Sequence, residues 1–169
     1  IGTVLFLSLV LSGCGIRSIP TALNEVEAAW SEVLNQYKRR SDLIPNLVNI
    51  VKGYAAHEKE TLLAVVDARA KATQTQVSTN QLTPESLRQF SQAQAGLGSA
   101  LSRLMVVVER YPDLKANENF RDLQVQLEGT ENRITVARYR YIQSIKGFNN
   151  LITVPPESWY NSWFLKHEK

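Results

Sequence analysis

Apolar residues recur at helical spacing along most of the chain. Leu23, Val26, Trp30, Val33 and Tyr37 lie three or four residues apart, which places them on one face of an amphipathic helix running roughly from Thr21 to Ser41. Pro45 has no N–H and disfavours a helical residue before it, so Asp42-Leu43-Ile44-Pro45 reads as a break or kink. A second stripe through Leu47, Val51, Tyr54, Leu62, Val65, Ala68 and Ala72 extends to about Thr75, and the polar stretch Gln76 to Gln81 reads as a connector. Thr83-Pro84-Glu85 carries a start signal: a side-chain acceptor for an orphan N–H, a proline suited to the first helical position, and an acid at the positive helix end.

From there Leu87, Phe90, Leu97, Leu101, Leu104, Val108 and Tyr111 keep a heptad-like register with Gln94 as its one polar interruption, predicting a helix over 84–110. Pro112-Asp113 turns the chain, Asn117 can cap the next helix, and Phe120, Leu123, Leu127, Ile134, Tyr141, Ile145 and Phe148 form its stripe to about Asn150. The expected fold is all-α, an antiparallel helical bundle of about four long helices over 21–150, because an isolated long helix leaves its apolar face in water. Gly53, Gly96, Gly98, Gly129 and Gly147 fall inside these helices, where close helix approach would account for them. After Leu151 an aromatic-rich C-terminal tail follows, 151–169, with Trp159, Tyr160, Trp163 and Phe164 crowded into six residues. Such a cluster either packs across the bundle end or meets a membrane interface or a partner.

The amino-terminal end is different. No charged residue occurs from Ile1 to Gly13, and the apolar run Val4 to Leu11 is far shorter than the ~20 residues that span a bilayer. It ends in small residues, as a secretory segment does. Leu11-Ser12-Gly13-Cys14 resembles a bacterial lipobox, in which the cysteine thiol takes a diacylglyceryl group and the chain is cut before it. On this reading 1–13 is the remnant of a signal peptide and 14–20 is the lipidated cysteine with a short linker. Acyl chains, at ~0.8 kcal/mol per buried CH₂, hold the protein to a membrane without a protein span. Gly15 stands where inner-membrane lipoproteins often carry Asp, so the periplasmic side of the outer membrane is the expected site in a host with two membranes.

Composition narrows the function without naming it. Of 169 residues 44% are hydrophobic and 21% charged, which fits a folded domain, and a net charge of +3 is far from a nucleic-acid footprint. A single cysteine excludes an internal disulfide and a thiolate zinc site. His57 and His167 belong to no metal-binding pair, and phosphate-loop, nucleophile-elbow and dinucleotide-binding patterns are missing. The expectation is therefore a protein without catalytic residues, metal or cofactor other than the covalent lipid on Cys14. The charges at or beside the apolar seams, Arg40, Asp42, Glu58, Arg69, Glu131 and Arg138, form a candidate structural polar network, with Arg69 or Arg138 expected to approach Glu58 or Glu131. The basic run Lys38-Arg39-Arg40 reads as a solvated face, or as a surface for anionic headgroups.

An ordered series of short stretches carries a family resemblance: Ala29-Trp30-Ser31, Tyr37 to Val48, Val51 to Ala55, His57 to Leu62, Ala68-Arg69, Tyr111 to Asn117, Phe120, Leu123-Gln124, Thr130 to Ile134, Ala137-Arg138, Tyr141 and Phe148-Asn149. Over nearly its whole length beyond the lipobox, the chain resembles the LemA family. The resemblance implies a helical bundle associated with a membrane and facing the envelope, with no established reaction. On the lipobox reading the family's usual membrane segment is expected to be replaced by the lipid anchor, and Ile142 stands where similar sequences tend to have Asn. The function expected is that of a membrane-anchored envelope scaffold or modulator with a protein partner. A lipid- or small-molecule-binding module is the alternative.

Overall fold

A computed structural model of the chain describes residues 15–75, 77–78, 82–155 and 157–167, so Cys14 and the segment before it lie outside the described residues. Among the described residues the regular structure is all helical, with no strand. Helix α1 spans Gly15–Tyr54, α2 Lys59–Gln74, α3 Pro84–Val108, α4 Pro112–Ala116, α5 Glu118–Thr153 and α6 Glu157–Tyr160, followed by a single π-helical turn over Asn161–Leu165.

Several boundaries depart from the sequence expectation. Helix α1 already includes the stretch from Gly15 to Pro20 read as a linker, because Ile19 and Ala22 are buried and packing supplies the order that the local sequence lacks. It also continues through Pro45 to Tyr54, so of the break or kink expected at 42–45 the break does not occur. Pro45 cannot donate to the carbonyl of Ser41, but Arg69 on α2 does so through Nε at 2.8 Å, so that carbonyl stays satisfied and the helix continues. The chain turns instead at 55–58, where Ala55 N–H donates to the Val51 carbonyl at 2.8 Å and Glu58 N–H to that of Ala55 at 3.0 Å.

The start of α3 is as the sequence reads it. Thr83 Oγ1 accepts from Ser86 N–H at 3.1 Å, Ser86 Oγ accepts from Thr83 N–H at 2.9 Å, and Pro84 occupies the first helical position. Asn117 caps α5 through its Oδ1, which accepts from Phe120 N–H at 3.0 Å. The glycines do not mark close helix approach: a Cβ built on Gly53, Gly96, Gly98, Gly129 or Gly147 meets nothing within 4 Å beyond its chain neighbours and the backbone of its own helical turn.

The chain divides into two compact units, one formed by the residues through Val33 together with those from Val136 onward, the other by Leu34–Thr135. The core of the second unit joins Ile44, Leu47 and Val51 of α1, Leu62 and Val65 of α2, Leu97, Leu101 and Leu104 of α3, Leu114 of α4, and Phe120, Leu123 and Leu127 of α5. Full burial of each large side chain contributes about 1.5–3 kcal/mol, which is why these five helices share one core. The first unit has its own cluster, Ile19 and Ala22 against Phe148 and Ile152, with Leu23, Val26, Leu151 and Leu165 packed on it. Nearby, the rings of Trp30 and Tyr141 lie 5.1 Å apart.

Candidate functional site

Arg40 is the most deeply placed charge of the Leu34–Thr135 unit. It falls on the same helical face as Val33, Ile44, Leu47 and Val51, so helix phase turns it inward while Lys38 and Arg39 face solvent. Its guanidinium donates to Glu131 Oε1 at 2.7 Å and to Gln94 Oε1 at 2.6 Å, and it lies 5.1 Å from the centroid of the Tyr37 ring. Gln94, the polar interruption of the α3 stripe, in turn donates to the Ala72 carbonyl at 3.3 Å. One arginine thereby joins α1, α2, α3 and α5. The pair is asymmetric: the Arg40 side chain is 5% exposed and that of Glu131 51%, so the carboxylate stays hydrated while the guanidinium depends on its protein partners.

Cavities lie on either side of this network. One of about 170 Å³ is lined by Tyr37, Lys38, Ser41, Thr73, Phe90 and Gln94, among others, and the buried Ser41 hydroxyl on its wall has no hydrogen-bond partner. Another of about 380 Å³ runs between α3 and α5 over Gly98, Leu101, Met105 and Leu127, with Arg40 and Glu131 in its lining.

Of the other charges singled out from sequence, Arg69 is occupied by the Ser41 carbonyl and Asp42 is exposed. Glu58 accepts from Arg110 at 3.0 Å and from the Tyr111 hydroxyl at 3.1 Å, so its partners are neither Arg69 nor Arg138. Partial burial, followed by the Glu58 hydrogen bond and charge, raises the pKa of Tyr111 above 10.0, with Arg110 opposing. Beside this group, Asn117 Nδ2 donates to the Tyr54 hydroxyl at 3.0 Å, tying the start of α5 to the end of α1. Arg138 is exposed and belongs to the first unit. The two seam carboxylates, Glu58 and Glu131, therefore have separate partners. Sequence reasoning missed Arg110 and Ser41, whose roles arise from tertiary placement alone. Gln94 had a signal, as a polar residue inside an apolar register.

In the tail, Trp159 and Trp163 are exposed, and the side chains of Tyr160 and Phe164 lie outside what the structure describes. Asn161 is buried; its Oδ1 accepts from His167 N–H and its Nδ2 donates to the His167 carbonyl, both at 2.9 Å. The His167 ring meets that of Phe148 edge-on at 5.8 Å. No described helix is long and apolar enough to cross a membrane.

Comparison with known proteins adds relatives. The chain is similar to magnetosome protein MamQ of Magnetospirillum gryphiswaldense, 25% identical over 153 residues, covering 80% of this chain and 56% of that one. It is 36% identical over 64 residues to magnetosome protein MamQ 1 of Paramagnetospirillum magneticum, covering 38% of this chain and 24% of that one. Protein LemA of Metamycoplasma hominis is 26% identical over 129 residues, 76% of this chain and 55% of its own length. The chain thus spans at most about half the length of these relatives. The model of the LemA family matches residues 29–169, taking in the Arg40 network, the Glu58 group and the tail, and the chain belongs to the LemA family.

Proposed function

We propose that this LemA-family protein is a lipid-anchored envelope protein that acts by holding a protein partner at the membrane, without catalysis or a cofactor. The observation that carries the reading is the apolar run of the sequence ending in Leu11-Ser12-Gly13-Cys14. Acylation there gives a helical protein membrane residence without a span. The placement of the charged groups supports a binding role: Arg40, Arg69, Glu58 and Glu131 bond other parts of their own unit. The anchor faces the periplasm from the outer membrane where the host has two membranes. Crosslinking in intact cells followed by mass spectrometry tests the role, comparing the wild type with Cys14→Ala and with a chain ending at Val154. A reproducible partner lost with either change supports it; full crosslinking coverage without a partner overturns it.

A second reading, small-molecule binding, rests on the unpartnered Ser41 hydroxyl in the wall of the 170 Å³ cavity. That volume is below the roughly 300 Å³ of ordinary ligand pockets, so it suits only a small polar molecule. Chemical-shift changes at Ser41 and Lys38 in a fragment screen, abolished by Ser41→Val, would favour it.

A further inference from the structure

The aromatic tail combines two properties. It is firmly fastened, and its largest apolar rings point outward. Both Asn161 side-chain bonds close on the His167 backbone, Lys166 N–H donates to the Asn161 carbonyl at 2.7 Å, and Lys166 adopts a φ of 53°, which turns the chain back on itself. Leu165 packs on the Ile19, Ala22, Phe148 and Ile152 cluster. Despite this, Trp159 is 65% exposed and Trp163 78% exposed, whereas Trp30, the third tryptophan of the chain, is 2% exposed.

The location of the tail selects the partner. Ile19 is buried in the cluster that Leu165 packs on, and Gly15, which follows Cys14 in the sequence, is already within α1. At ~1.5 Å per residue, Ile19 lies only about 6 Å along the helix from Gly15. Trp163 is two positions from Leu165, so within its own unit the fastened tail sits beside the first described turns of α1, the part of the chain that follows Cys14 in sequence. An acyl group on Cys14 brings that part to the lipid surface. Indole rings prefer the membrane–water boundary, where the ring body is dehydrated and the N–H keeps a polar partner.

We propose that Trp159 and Trp163 form a second membrane contact, seated in the bilayer interface beside the acyl anchor and presented by the Asn161–His167 closure. This rests on the lipid-anchor reading of Cys14. The partner is the lipid interface itself. The second contact restricts how the anchored protein swivels, because one acylated residue fixes a point and two indoles on a folded turn fix an orientation.

The test uses the full-length protein extracted from membranes and reconstituted in phosphatidylcholine vesicles whose acyl chains are brominated close to the headgroup, with unbrominated vesicles as reference. Bromine quenches only rings in the bilayer, so buried Trp30 is an internal control. The expected result is co-flotation with the vesicles and loss of up to about two thirds of the tryptophan emission, the share of two interfacial rings in three. The W159F/W163F double variant should float equally well, keep its helical circular dichroism and show no bromine-dependent loss. Asn161→Ala should float and show a reduced loss, since both indoles remain but their presentation is relaxed. Protein that floats with unquenched emission overturns the second contact and leaves the anchor standing. Protein that neither floats nor is quenched overturns the anchor reading, and this inference with it.

Discussion

Arg69 Nε donates to the Ser41 carbonyl at 2.8 Å, the carbonyl that Pro45 leaves without its helical donor four residues on. A side chain on α2 thus completes the hydrogen bonding of α1, and Ser41 is 4% exposed, so little water is available to replace it. The two stretches concerned, Ser41 to Pro45 and Ala68-Arg69, are among those that carry the family resemblance. Part of that resemblance therefore has a structural content.

Removing Arg69 should expose this dependence. Arg69→Met is expected to lower stability by about 1–3 kcal/mol, the cost of leaving a buried acceptor unpaired. In a Pro45→Ala background the restored N–H supplies Ser41, and the same substitution should cost no more than about half as much. Urea denaturation of the four proteins measures the coupling; strictly additive costs would contradict it.

The Arg40–Glu131 pair gives a different expectation because its partners are so unequally buried. Glu131→Gln keeps a hydrogen-bond acceptor and removes the charge opposite a buried guanidinium, which Gln94 still holds. The expected loss is about 1–2 kcal/mol, within the range for a charge-assisted bond that is partly solvated. Thermal or urea unfolding checks it, and an unchanged midpoint would argue that Glu131 contributes nothing to the fold.

Asn117 has two separable bonds, one capping α5 through Phe120 N–H and one to the Tyr54 hydroxyl. Asn117→Ala loses both and should cost about 1–2 kcal/mol, whereas Tyr54→Phe loses only the second and should cost less than 1 kcal/mol, roughly. Equal losses in unfolding experiments would show that the cap adds nothing.

Tyr111 sets an alkaline limit. Its folded pKa is raised above 10.0 by partial burial and then by Glu58, so the folded state keeps the proton more tightly than the unfolded chain. The associated stability is complete below pH 10, declines as the unfolded phenol ionises above it, and is lost as pH rises through the folded pKa. Tyr141, raised by burial, adds to the same trend. Tyr111→Phe should flatten the fall in urea midpoint above pH 10, and an identical slope would refute the assignment.

Helix content and the apolar faces were legible because the repeat of three and four residues is sustained along the chain, and the Thr83 and Asn117 starts because their caps are local. Pro45 does not break the helix for a physical reason: the carbonyl it leaves without a helical donor is met by Arg69, 24 positions further along the sequence. The helicity of 15–20 was hidden similarly, since Ile19 packs on Phe148 and Ile152, far along the sequence. At the candidate site, the importance of Arg40 and Glu131 was visible as charge on an apolar seam, and their pairing depended on packing. For the glycines, sequence suggested close approach, and the structure shows open space around each.

The central claim is that this LemA-family protein resides at a membrane through Cys14. Intact-mass and peptide mass spectrometry of the protein extracted from its native host's membranes tests it most directly. The account predicts a mature chain beginning at Cys14, with a diacylglyceryl group on sulfur. A chain that retains residues 1–13 and an unmodified Cys14 thiol would contradict it.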